Sequence, residues 1–212
     1  MMSYLAWMDQ TLFHLLNGVL TVPVLDRILP ALSWMGNLGA VWVVLLGAMA
    51  AFGKKTGRRI VLAGLAALAI GFASSEVIKE ITMRPRPFLA LPDVRILIPE
   101  PSSFAFPSGH TTSAFAAASG AALAAKTLLK RVPLWGWGML VLAGAISYSR
   151  IYVGVHWPTD VAAGVLLGLA SGWLGARLIL RQWHPFKKAT ETDKAPEKIE
   201  EVEYIPQEVI RG

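Results

Sequence analysis

Apolar residues run along this chain in blocks the length of a membrane, not in the short alternations of a soluble core. Five stretches, 31–52, 58–78, 109–129, 132–149 and 158–181, carry few charges, and each is close to the ~20 residues a helix needs to cross a hydrocarbon layer. Ala and Gly are frequent within them, as expected where helices approach closely in lipid. An earlier stretch, LFHLLNGVLTVPVLDRIL, is interrupted by His14, Asn17, Pro23 and the Asp26–Arg27 pair. It reads as a helix lying in the membrane interface, with a broken sixth span as the alternative. The pattern predicts an all-α, polytopic membrane helix bundle of five to six transmembrane helices. It has three parts: residues 1–30 as the interfacial helix or broken span, 31–186 as the transmembrane core, and 187–212 as a polar, charged tail expected to be disordered.

Composition agrees with a membrane protein. The 212 residues are 54% hydrophobic and 16% charged, with a mean hydropathy of +0.50, too apolar for an ordinary soluble domain. The absence of cysteine excludes disulfides, a thiolate nucleophile and Cys-based zinc sites, and four histidines make an all-His metal site a poor fit. No metal or cofactor is expected.

Charge sets the orientation. The tail 187–212 holds seven of the 14 acidic residues and five of the 20 basic ones, so the rest carries fifteen basic against seven acidic residues. That surplus suits anionic headgroups or phosphates; with no basic stretch interleaved with exposed aromatics, nucleic acid is not an expected partner. The basic runs GKKTGRR (53–59), KTLLKR (126–131) and Arg177, Arg181, Lys187, Lys188 fall at alternate ends of successive spans. Those ends should be cytoplasmic, the C-terminus with them. The opposite ends, 79–108 and 149–160, hold the chemistry-bearing residues and should lie on the outer side. The first ten residues hold no basic residue and no A-x-A site follows, so no cleavable signal peptide is expected.

Three clusters stand out on that side. In KEITMRPRP, Lys79 ends the second span and Arg84 and Arg86 are each followed by proline, which should stop the helix near Met83 and hold the arginines on a stiff, extended turn. Basic anchors often flank spans, but they are disfavoured on the outer side, which favours a bound anion. In FPSGHTTSAFAAA, Ser108 and Gly109 precede His110 at the start of the third span. A helix start aims free N–H groups outward and can cradle phosphate, though Ser108 is equally an ordinary N-cap. In SRIYVGVHWPTD, Arg150 is a bidentate donor suited to phosphate, and Asp160, in the first turn of the fifth span, can reach His156 four residues back. A carboxylate holding one ring nitrogen fixes the tautomer and makes the other a better nucleophile or base; the pair can also merely satisfy each other at a helix cap.

Taken together, the clusters read K-x-x-x-x-x-x-R-P from Lys79 to Pro87, P-S-G-H from Pro107 to His110, and S-R-x-x-x-x-x-H-x-x-x-D from Ser149 to Asp160. This resembles the three-part signature of the type 2 phosphatidic acid phosphatase superfamily at every position, and the helical pattern over roughly 31–181 resembles its membrane-bound bacterial members. The resemblance implies that His156 attacks phosphorus and forms a phosphohistidine, with Asp160 orienting it. It implies that His110 protonates the leaving oxygen and then activates water. Lys79, Arg86 and Arg150, with the Ser108 side chain and Gly109 backbone, would hold the phosphoryl oxygens, without a metal. Arg84 lies outside the motif and is only a weak candidate for substrate contact, Arg95 a weaker one.

The implied substrate is a membrane lipid phosphate whose headgroup is fixed at the level of these residues while its tail stays in the bilayer. Compact members of this kind often resemble undecaprenyl diphosphate phosphatases of the bacterial inner (cytoplasmic) membrane. Phosphatases of phosphatidylglycerol phosphate, phosphatidic acid or lipid A share the motifs and are the alternative. The loop FLALPDVRILIPEPSSFA (88–105) should cover the site. A lipid-binding or transport protein is the non-enzymatic alternative; it would need the cations but not His156, Asp160 and His110. Nothing in the sequence points to an oligomeric state.

Overall fold

The structure is a computed structural model that describes residues 4–52 and 54–181; the expected tail, 187–212, lies outside the described residues. Within them every regular element is helical and no strand is present, and residues 91–108 form a loop between helices. The order is α1 (Tyr4–His14), a π-type turn (Leu15–Val19), α2 (Pro23–Met35), a 3₁₀ turn (Asn37–Gly39), α3 (Ala40–Phe52), α4 (Lys55–Thr82), α5 (Pro87–Ala90), α6 (Gly109–Leu129), α7 (Leu134–Tyr152) and α8 (Pro158–Arg181).

Helix ends follow local chemistry. Proline stands at the first turn of α2 and α5 and opens α8, where its missing N–H costs nothing. Helix α4 ends at Met83, which is left-handed (φ 45°, ψ 34°), just before the extended Arg84–Pro85–Arg86–Pro87 segment. Ser108 caps α6, its Oγ accepting from Thr111 N.

Helix α6 is the centre of the bundle. It packs against α4, α7 and α8, and α4 also packs on α8. Thirteen of its residues, among them Ala114, Ala117, Ala121 and Gly120, are buried, so backbones meet through small side chains. The same holds on α8. A Cβ on Gly175 would sit 2.6 Å from the backbone nitrogen of Ala67, and one on Gly168 would sit 2.7 Å from the carbonyl oxygen of Thr112. Large apolar side chains such as Val44, Val77, Val141 and Leu166 face outward, as they do where the solvent is lipid.

Two expectations need correction. The first expected span, 31–52, is split: residues 31–35 complete α2, Gly36 to Gly39 break the helix, and α3 has 13 residues, about 20 Å against a ~30 Å hydrocarbon core. Residues 1–30 are not one helix lying in the interface either. Helices α1 and α2 are bent by 117° across the break between them, the geometry of a broken span or a re-entrant loop. By length and composition, two helical stretches among the described residues can cross a membrane, Lys55–Ala90 and Pro158–Arg181, or three if the bent pair is one span. Helices α6 and α7 have 21 and 19 residues, but Ala, Gly, Ser and Thr dilute their apolarity.

Small-residue packing makes a direct prediction. Gly175→Ala should lower the melting temperature in detergent, at a cost of about 1–3 kcal/mol, because its new methyl meets backbone that cannot yield. Gly144→Ala, where nothing lies within 4 Å of the added carbon, should be neutral or gain up to about 1 kcal/mol from helix propensity. Equal melting temperatures for the two variants would refute close approach of α8 to α4.

Candidate active site

Antiparallel helices bring the C-terminal end of α4, the start of α6 and the α7–α8 junction to one end of the bundle. There they surround a cavity of about 610 Å³ whose lining includes Lys79, Arg86, Gly109, His110, Arg150 and His156. Ser108 and Asp160 stand behind it, both fully buried. The loop expected to cover the site contributes Ile98, Pro99, Pro101 and Ser103.

Each cation is held differently. Arg86, 3% exposed, donates from Nε to Ser103 O (2.7 Å) and from Nη1 to Val155 O (2.8 Å). Its Nη1 also stands 3.2 Å from His156 Nε2. Arg150, in the last turn of α7 and 2% exposed, donates from Nη1 to Ser33 Oγ of α2, while its Nε is buried without a hydrogen-bond partner. Lys79 pairs with Glu76 at 2.5 Å. Gly109 makes room for it, since a Cβ there would lie 3.0 Å from Lys79 Nζ. Glu76 is the one carboxylate among the cavity's lining residues, against three cations.

The two histidines carry opposite features toward this cavity. An arginine N–H only donates, so His156 Nε2 accepts and its ring proton is on Nδ1. Nδ1 lies 3.4 Å from Asp160 Oδ2, within ion-pair range but without a formed hydrogen bond. Asp160 is itself fixed by Trp157 N on Oδ2 (2.9 Å) and Arg84 Nη1 on Oδ1 (2.6 Å). His110 Nε2 stands 3.0 Å from Asn37 Oδ1, an acceptor, so that ring carries its proton on Nε2. Burial, and then Arg86, Arg150 and Lys79, hold the His156 pKa well below its ordinary value of 6.5.

The structure thus gathers the eight residues singled out by sequence, six on the cavity wall and two behind it. Arg84 and Arg95 do not line the cavity: Arg84 turns to Asp9, Thr159 and Asp160, and Arg95 to Asn17 and Asp26. Sequence reasoning missed Ser33, Asn37, Glu76 and Ser103. Asn37 and Ser33 had a faint signal as polar residues near an apolar break, but their partners are 73 and 117 positions away.

A family model described as the PAP2 superfamily matches residues 59–184. An undecaprenyl-diphosphatase of Sulfolobus acidocaldarius is 34% identical over 185 residues, 87% of this chain and 84% of the relative. Among solved structures, the transmembrane PAP2-type phosphatidylglycerolphosphate phosphatase of Bacillus subtilis aligns with a TM-score of 0.71 at 25% identity, covering 88% of this chain and 90% of that one. LpxE of Aquifex aeolicus aligns with a TM-score of 0.62 at 29% identity, covering 80% and 95%. The chain belongs to the PAP2 superfamily. It is a membrane protein and a lipid phosphatase.

The imidazole can be tested directly. A histidine whose folded pKa is depressed contributes stability that is present above its unfolded value, 6.5, and lost as pH falls below it. In ¹⁵N-histidine spectra of the detergent-solubilised protein, His156 should remain the neutral Nδ1–H tautomer from pH 8 to pH 6. Protonation with a midpoint near 6.5 would contradict the geometry.

Proposed function

We propose that the protein hydrolyses undecaprenyl diphosphate to undecaprenyl phosphate through a covalent His156 intermediate. One observation carries the reading: three buried cations, matched by a single carboxylate, line a cavity with a neutral imidazole whose unprotonated nitrogen, Nε2, stands beside Arg86. Burying such charge costs several kcal/mol per ion, and a phosphate offsets that cost. Binding alone would not need the imidazole.

In this mechanism Nε2 of His156 forms a bond to the terminal phosphorus as the bond from that phosphorus to the bridging oxygen of the diphosphate breaks, with undecaprenyl phosphate as the leaving group. His110, protonated on both ring nitrogens once the anionic substrate is bound, gives its Nε2 proton to that oxygen and is left neutral. Lys79, Arg86 and Arg150 stabilise the charge on the equatorial oxygens, with the Gly109 backbone at the start of α6. Asp160, behind Nδ1, stabilises the imidazolium, and the contact at 3.4 Å is of the kind that tightens in the reacting complex. Water, deprotonated by His110, then attacks phosphorus; the P–N bond breaks and phosphate leaves. Because the three cations supply the electrostatic stabilisation, the mechanism runs without a metal ion.

The choice of lipid rests on the relatives named undecaprenyl-diphosphatase. The site also suits a long chain, since Trp34 (74% exposed) and Phe72 (42% exposed) line the cavity and reach the outer surface. The second reading, phosphatidylglycerol phosphate as substrate, is favoured by the Bacillus subtilis structure. In either case the site faces outward from the cytoplasmic membrane and the C-terminus lies inside, following the alternating basic ends.

His156→Ala should lower phosphate release by about 10⁴-fold or more with folding intact, and Asp160→Asn should cost less because the nucleophile remains. Near-normal turnover of His156→Ala would end the nucleophile assignment. In liposomes, undecaprenyl diphosphate should be cleaved faster than phosphatidylglycerol phosphate, phosphatidic acid or lipid A, and EDTA should leave the rate unchanged. A faster rate on another lipid would reassign the substrate, and loss of activity with EDTA would reject the metal-free mechanism.

A further inference from the structure

Helix α1 lies outside the residues matched by the family model, yet it touches the support of the His156 ring at two points. Phe13, fully buried, packs on Trp157 with ring centroids 5.4 Å apart. Asp9, 2% exposed, accepts from Thr159 N at Oδ1 (2.9 Å) and from Thr159 Oγ1 at Oδ2 (2.6 Å). It also pairs with Arg84 Nη2. Through Nη1 the same guanidinium donates to Thr159 Oγ1 (2.7 Å) and Asp160 Oδ1 (2.6 Å), and its carbon lies 5.4 Å from the Trp157 ring centroid.

We infer that Asp9 is a positioning residue, the outer member of a chain Asp9–Arg84–Asp160–His156 that holds Asp160 in place and keeps its negative charge available to the imidazole. The inference rests on the reading of His156 as nucleophile. Its logic is electrostatic. Arg84 and Asp160 alone form a self-neutralising pair, which would leave little field for a cation developing on the ring. A second carboxylate on the far side of Arg84 restores a net charge of −1 to the cluster. Geometry adds to this. With Arg84 on Oδ1 and Trp157 N on Oδ2, the Asp160 carboxylate is held against rotation, and Oδ2 keeps a second lone pair for Nδ1, 3.4 Å away. Asp9 in turn fixes Arg84 and the first turn of α8 through Thr159. The motif arginine two positions on, Arg86, faces the cavity; Arg84 faces away from it, which explains two arginines in one short turn.

The test uses the full chain in detergent, with turnover normalised to folded protein. Asp9→Asn keeps an acceptor for Thr159 N while removing the charge and the acceptor for Arg84 Nη2. It should lower kcat about tenfold while KM stays within twofold and the melting temperature within a few degrees. In an Asp160→Asn background the same change should have no further effect on kcat, because its route runs through Asp160. Native kcat per folded molecule in Asp9→Asn, or an equal loss in both backgrounds, would overturn the inference and reduce the cluster to a structural tie. His156→Ala run alongside separates the two claims. If it retains turnover, the nucleophile reading has failed; if it is inactive while Asp9→Asn turns over normally, only the chain through Asp9 has.

Discussion

Everything at the cavity end of this bundle is arranged around one electrostatic demand, the burial of three cations with too few anions to match them. Lys79, Arg86 and Arg150 are each less than a tenth exposed, and within the cavity lining only Glu76 opposes them. Folding alone gains nothing from such an arrangement, since an uncompensated buried charge is destabilising. The protein reduces the cost with neutral acceptors, the Ser103 and Val155 carbonyls for Arg86 and the Ser33 hydroxyl for Arg150. What remains is a positive potential aimed at a small space, with an imidazole lone pair beside Arg86 in the same space.

The bundle makes that concentration of charge possible because its centre is built from small side chains. With Ala and Gly along α6, and with Gly168 and Gly175 on α8 leaving no room for a Cβ, α4, α6 and α8 pack nearly backbone to backbone. Their ends are therefore held close together, where they carry the residues that line the cavity. A core of larger residues would set the same loops farther apart and give each cation more freedom. Close packing of the spans and precision of the site are thus one property.

The N-terminal helices contribute more than a membrane anchor. Helix α2 supplies Ser33 to Arg150, the turn after it supplies Asn37 to His110, and α1 supplies Asp9 to Arg84. All three lie before residue 59, where the match to the PAP2 family model begins. The matched part holds the cations and histidines that line the cavity; the part preceding it supplies hydrogen bonds to two of them, Arg150 and His110, and to Arg84 behind the site.

What the sequence determined by itself were the local and chemical features. Apolar block lengths declared an α-helical membrane protein, the two X-Pro bonds ended α4 at Met83, and the spacing of motif residues marked His156, Asp160, His110, Ser108, Gly109, Lys79, Arg86 and Arg150, because periodicity, proline geometry and a residue's chemistry are written in neighbouring positions. Tertiary structure decided the rest. Arg84 and Arg86 are two residues apart in near-identical surroundings, yet only packing turns one toward the Asp9–Asp160 cluster and the other toward His156. The split of 31–52 falls at Gly36 to Gly39, where a Cβ on Gly36 would lie 2.8 Å from His110 and 3.0 Å from Ile146, a packing constraint that hydropathy does not register. Ser33, Asn37 and Asp9 find partners between 73 and 150 positions away, and such pairs form only when helices that are independent in sequence share a face.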